Sequence, residues 1–111
     1  METVWRVVRN TETDGSKTLL FEECEVVCRN NDRSFAFIKS PSLGEITLRR
    51  RRNNPAVYES DLINGQLMVT AYDSFEEGIG DQINIRRTMI QNYEAYLKDE
   101  RSMLASLEAL L

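Results

Sequence analysis

The sequence predicts an α+β protein: a mostly antiparallel β-meander of about six strands followed by one long C-terminal amphipathic helix. Three observations lead there. All five glycines and both prolines lie before residue 81, so the first part of the chain turns repeatedly while 81–111 can run unbroken as a helix. The first 73 residues carry short runs rich in β-branched and aromatic side chains, separated by turn signals. In 81–111, Ile83, Ile90, Tyr93, Leu97, Leu104, Leu107 and Leu111 recur at spacings of three, four and seven, which keeps them on one side of a helix. A single domain is expected, with a sheet region over 1–73, a hinge loop over 74–80 and the helix over 81–111.

The strands follow in order. Thr3–Arg9 leads into Asp14-Gly15, a dipeptide suited to a two-residue hairpin turn. A tight turn there sets Glu12 against Lys17 and Arg6 against Glu23, two opposite-charge pairs. Lys17–Arg29 is the second strand. Within it, Leu19–Cys28 also reads as a helix, because Leu20, Cys24, Val27 and Cys28 would share a helical face; the preceding hairpin signal and the Val26-Val27 pair favour strand. Asn30-Asn31-Asp32 marks a turn before Ser34–Lys39, and Pro41 and Gly44 precede Glu45–Arg51, where Ile46 and Leu48 alternate with polar neighbours. Asn53-Asn54-Pro55 is the next turn. Asn64-Gly65, flanked by Val57–Ile63 and Gln66–Tyr72, is the strongest hairpin signal. Ser74-Phe75-Glu76-Glu77 matches a helix capping box, but Gly78 and Gly80 follow closely, so a frayed turn is expected there and the helix start is placed near Asp81.

Composition is that of an ordinary globular protein, with 41% hydrophobic and 29% charged residues and a net charge of −4. No apolar run is long enough to span a membrane, and the opening Met1-Glu2-Thr3-Val4-Trp5-Arg6 has no apolar core of a secretory signal, so a cytoplasmic location is expected. The acidic balance argues against a general nucleic-acid-binding face.

The chain has no histidine. That excludes Ser–His and Cys–His nucleophile pairs and any His-containing zinc site. Cys24 and Cys28 are the only cysteines; on a strand they lie too far apart for a disulfide and are expected as reduced core residues. There is no phosphate-binding glycine motif and no calcium loop, so neither metal nor cofactor is expected. Glu22-Glu23-Glu25 and Glu76-Glu77 are read as solvated surface charge rather than a catalytic pair.

Arg49-Arg50-Arg51-Arg52 is the sharpest polar feature, in a chain where arginine outnumbers lysine 11 to 3. Guanidinium groups suit bidentate contacts to phosphate or carboxylate. With Leu48 inward, Arg50 follows it, leaving Arg49 and Arg51 on the outer face and Arg52 in the following loop as candidate anion ligands. The alternative is a solvated sheet edge whose arginines pair with nearby acids and block strand-to-strand association. Aromatic residues for base stacking are missing next to the run in sequence.

The expected function is that of a non-enzymatic, homo-oligomeric binding or regulatory protein engaging a macromolecular partner. A dimer is favoured, with Ile90, Tyr93, Leu97, Leu104, Leu107 and Leu111 at its interface. Two alternatives stand beside it: a nucleic-acid or nucleotide binder using Arg49, Arg51 and Arg52, and a small enzyme with a carboxylate or tyrosine site between subunits.

Overall fold

A computed structural model of the chain describes residues 2–52, 54–60 and 69–111, the side chains of residues 54–56 excepted. The expected Asn64-Gly65 turn lies outside the described residues, as does Asn53. The elements are strands β1 (Thr3–Thr11), β2 (Lys17–Arg29), β3 (Phe35–Ser40), β4 (Gly44–Arg51), β5 (Asn54–Glu59) and β6 (Thr70–Tyr72), followed by helix α1 (Phe75–Glu108). By internal packing the chain divides into two units, Met1–Gly78 and Ile79–Leu111.

The six strands are antiparallel in chain order, as the turn signals predict, and the sheet closes into a barrel. Closure comes from the short strand β6, which pairs with β5 on one side and with β1 on the other, through Trp5↔Tyr72 and Arg6↔Ala71. An open meander leaves two rows of unpaired backbone groups; a barrel leaves none. Inward positions alternate with outward ones along β3 and β4, burying Ala36, Ile38, Ile46 and Leu48. Val4, Cys24, Tyr58, Val69 and Ala71 complete the core.

Three local expectations shift. The first hairpin is out of the expected register by one residue: Lys17 stands opposite Thr11, and Arg6 opposite Glu22 rather than Glu23. The loop runs between Glu12 and Ser16, whose backbone groups bond at 2.9 Å, and Gly15 takes a φ of 87°. This is the three-residue loop in which the last residue adopts the left-handed conformation that glycine allows. The Asp14 carboxylate accepts from the Ser16 amide at 2.9 Å and fixes it. A one-residue slip exchanges the two faces of a strand, and here it points Glu22 at Arg6.

Leu19–Cys28 is strand, but with a bulge between Val26 and Cys28. The bulge inserts one extra residue and turns the following side chain outward. Cys24 is therefore buried and Cys28 exposed, both as free thiols; only the first is a core cysteine.

The helix starts at Phe75 rather than near Asp81. Ser74 caps it, its hydroxyl accepting from the Glu77 amide at 3.1 Å. The Phe75 ring packs on Trp5 and Phe21, with centroids 5.2 and 5.3 Å away. Gly78 is needed for proximity rather than flexibility: a Cβ there would stand 2.7 Å from the Phe21 ring and 3.0 Å from that of Tyr72. The glycine taken as a helix breaker thus lets the first turn lie against the barrel wall.

Candidate functional site

The arginine run is not on a sheet edge. Strand β4 is paired on both sides, with Phe35 opposite Arg49 on β3 and Glu59 opposite Arg49 on β5. A register shift between Arg50 and Arg51 breaks strict alternation and leaves both of them half-buried. Arg49 and Arg52 are exposed. Arg51 is bound to Glu59 at 2.9 Å. Of the three expected anion ligands, Arg49 stands on the outer wall, Arg51 is held by a carboxylate, and Arg52 lies in the turn beyond β4.

Arg50, the inward member, belongs to a cluster that the sequence does not advertise. Its guanidinium lies 4.4 Å from the centre of the buried Tyr58 ring, and that of Arg29 lies 5.5 Å from the same ring. Both donate to the Tyr58 hydroxyl. Asp73 accepts from both arginines at 3.4 Å, and Glu2 accepts from Arg29 at 2.8 Å. Burial alone would lower the Arg29 pKa, but the hydrogen bond from Arg29 to Glu2 and the electrostatic attraction of Tyr58 and Asp73 outweigh it and raise it. Glu2 is correspondingly held below the usual carboxylate range by the Arg29 hydrogen bond. The residues come from the start of the chain before β1, from β2, β4 and β5, and from the approach to α1, so folding of the sheet brings them together.

A second polar cluster gathers around Glu22. Its carboxylate accepts from Arg6 at 3.1 Å and from Ser42 at 2.6 Å, and also from Ser40. Burial pushes the carboxyl up, but hydrogen bonds from Arg6, Ser40 and Ser42 outweigh that and bring its pKa down to about 2. The neighbouring Cys24 thiol is pushed up to about 11, first by burial and then by the Glu22 charge, so it is a poor nucleophile. These groups bond to one another in a network that joins buried Arg6 and Ser40, half-buried Glu22 and exposed Ser42. Among the described residues no group of three or more ligating side chains could hold a metal ion.

On the outer wall, Phe35 and Phe37 are exposed, Phe35 standing opposite Arg49 and Phe37 opposite Thr47. The aromatic partners missing beside the arginines in sequence are supplied by the adjacent strand, a juxtaposition that cross-strand register creates.

Among the described residues, most of the exposed large hydrophobic side chains lie on the helical unit. From Arg87 to Leu111 every residue is exposed, including all six expected interface residues: Ile90, Tyr93, Leu97, Leu104, Leu107 and Leu111. Leu104 and Leu107 are 55% and 62% exposed. Met89, Tyr96, Met103 and Leu110 widen the same stripe. Among the described residues no helix is long and apolar enough to cross a membrane.

No protein-family model matches the chain, and neither a curated protein nor a solved structure is significantly similar to it.

Proposed function

We propose that this chain is a non-enzymatic binding protein that associates with copies of itself through the face of α1 and presents its barrels to a macromolecular partner. One observation carries the reading: Ile90, Tyr93, Leu97, Leu104 and Leu107 line one side of a helix on which nothing is buried beyond Arg86. Fully burying one such side chain contributes about 1.5–3 kcal/mol. Several together outweigh the entropy lost on association, about 4–15 kcal/mol. The Glu22 carboxylate and the Tyr58 hydroxyl are each engaged by neighbouring side chains, which supports the non-enzymatic part of the reading.

Light scattering after size exclusion tests this. The wild-type chain is expected at a multiple of 12.9 kDa, and Leu104→Glu/Leu107→Glu at the mass of one chain. A wild-type mass of one chain at high micromolar concentration overturns the proposal.

The Phe35–Arg49 juxtaposition favours a second reading, single-stranded nucleic acid stacked on Phe35 and Phe37 with phosphate at Arg49. Fluorescence anisotropy with labelled DNA and RNA decides it: affinity should fall with salt and drop for Phe35→Ala/Arg49→Ala. Absence of binding at low salt excludes it.

A further inference from the structure

The apolar face of α1 has an internal order finer than an apolar stripe. Ile83, Ile90, Leu97, Leu104 and Leu111 stand seven residues apart without interruption. A strict seven-residue repeat drifts on a straight helix and is kept in contact by a left-handed supercoil of two or more helices. With these residues at the first seam position (a), the second (d) holds Arg86, Tyr93, Glu100 and Leu107. On one flank (g) lie Met89, Tyr96, Met103 and Leu110, all apolar; on the other (e) lie Arg87, Glu94, Arg101 and Glu108, which alternate in sign. All of these from Arg87 onward are exposed, Leu110 and Leu111 lying just beyond the end of α1 at Glu108.

The two flanks distinguish the ways in which two copies can pair. In a parallel, in-register pair each seam residue meets its own equivalent, so Arg86 would face Arg86 and Glu100 would face Glu100 inside the seam. The charged flank would then face the apolar flank of the other copy, leaving its alternating charges without counterparts. In an antiparallel pair, like flanks face each other. We infer that two copies of α1 associate antiparallel, in the register that sets Leu97 opposite the partner's Glu100. This rests on the self-association proposed above and specifies its geometry.

In that register Ile90 meets the partner's Leu107, and Leu104 meets the partner's Tyr93. On the apolar flank, Met89 meets the partner's Leu110 and Tyr96 meets the partner's Met103. On the charged flank, Arg87 meets the partner's Glu108, and Glu94 meets the partner's Arg101. Two-fold symmetry repeats each contact, so every flank charge faces its opposite. Sliding one helix by a heptad in either direction destroys the match. One slide sets Arg87 against the partner's Arg101 and Glu94 against its own equivalent. The other sets Glu94 against the partner's Glu108 and Arg101 against its own equivalent. Like charges at such positions act against the wrong register.

Two double variants of unchanged net charge test the register. Arg87→Glu/Glu108→Arg exchanges one pair and keeps every flank contact complementary; it should associate as tightly as wild type. Arg101→Glu/Glu108→Arg makes all four flank contacts repulsive and should raise the dimer dissociation constant at least about tenfold. Sedimentation equilibrium supplies the constants, and circular dichroism at 222 nm the helicity. Equal behaviour of the two variants, or tighter association by the second, overturns the register while self-association stands. A wild-type chain that does not associate overturns the proposal beneath it. If Arg101→Glu/Glu108→Arg loses helicity, a mixture takes its place. Arg87→Glu/Arg101→Glu and Glu94→Arg/Glu108→Arg should each associate weakly alone and recover wild-type affinity when combined, and no recovery again overturns the register.

Discussion

Two glycines in the first turns of α1 should respond to the same substitution with opposite signs. In a helix interior, alanine is favoured over glycine by about 0.8–1 kcal/mol, because it loses less backbone entropy on folding. At Gly80 nothing lies within 4 Å of the position a Cβ would take, so Gly80→Ala should stabilise the protein by most of that amount. At Gly78 the same Cβ would stand 2.7 Å from the Phe21 ring and 3.0 and 3.3 Å from atoms of the Tyr72 ring. Neither ring can move freely: Phe21 packs edge-on to Phe75 at 5.3 Å, and Tyr72 is 1% exposed. Overpacking of this kind costs about 1–3 kcal/mol, which exceeds the helix-propensity gain. Gly78→Ala should therefore be destabilising by up to about 2 kcal/mol, leaving the two variants about 1–3 kcal/mol apart. Urea unfolding followed at 222 nm gives both midpoints. Equal stabilisation by the two substitutions would refute the close seating of the first turn against β2 and β6.

The other predictions concern the two polar clusters and the thiols. The unfolded chain binds the Glu22 proton near pH 4.5 and the folded chain near pH 2, so the stabilisation is fully present above pH 4.5 and is lost as pH falls from there to about 2. With the carboxylate one-fifth exposed, the contribution is discounted to about 1–2 kcal/mol, and Glu22→Gln should flatten the acid limb of stability against pH; an unchanged limb contradicts the network. Tyr58→Phe removes an acceptor shared by Arg29 and Arg50 and should cost about 1–3 kcal/mol in urea unfolding. An aromatic-disulfide thiol reagent at pH 8 should modify the exposed Cys28 rapidly and the buried Cys24 only after denaturation; rapid reaction of both would place Cys24 outside the core.

Strand order and the helix were legible because turn residues and apolar spacing act locally. What was not legible depended on choices that sequence leaves nearly degenerate. Asp14-Gly15 suits both a two-residue and a three-residue loop, and the structure takes the one that places Glu22 beside Arg6. Barrel closure rests on the three residues of β6, too short a run to announce two partners. Gly78 looks like a helix breaker until Phe21 and Tyr72 are set beside it. The run Arg49 to Arg52 draws the eye to its outer members, yet Arg50 stacks on Tyr58, its cross-strand partner on β5, and bonds Asp73, contacts that only the strand register reveals. Counting apolar residues predicts an interface, whereas the antiparallel direction proposed for it comes only from aligning the flanking charges at seven-residue intervals.

A distance between two copies of the helix tests helix-mediated association most directly. A spin label at Thr88→Cys, in a Cys24→Ala/Cys28→Ser background, lies on the face opposite the seam. Antiparallel pairing about Leu97 and Glu100 offsets the two labels by about 30 Å along the axis at ~1.5 Å per residue. Pulsed electron–electron resonance should then show a single distance of about 40 Å at concentrations where the chain is associated. A distance under about 25 Å, the spacing of labels at equal height on paired helices, would contradict the antiparallel register. The absence of any dipolar modulation would contradict the pairing itself.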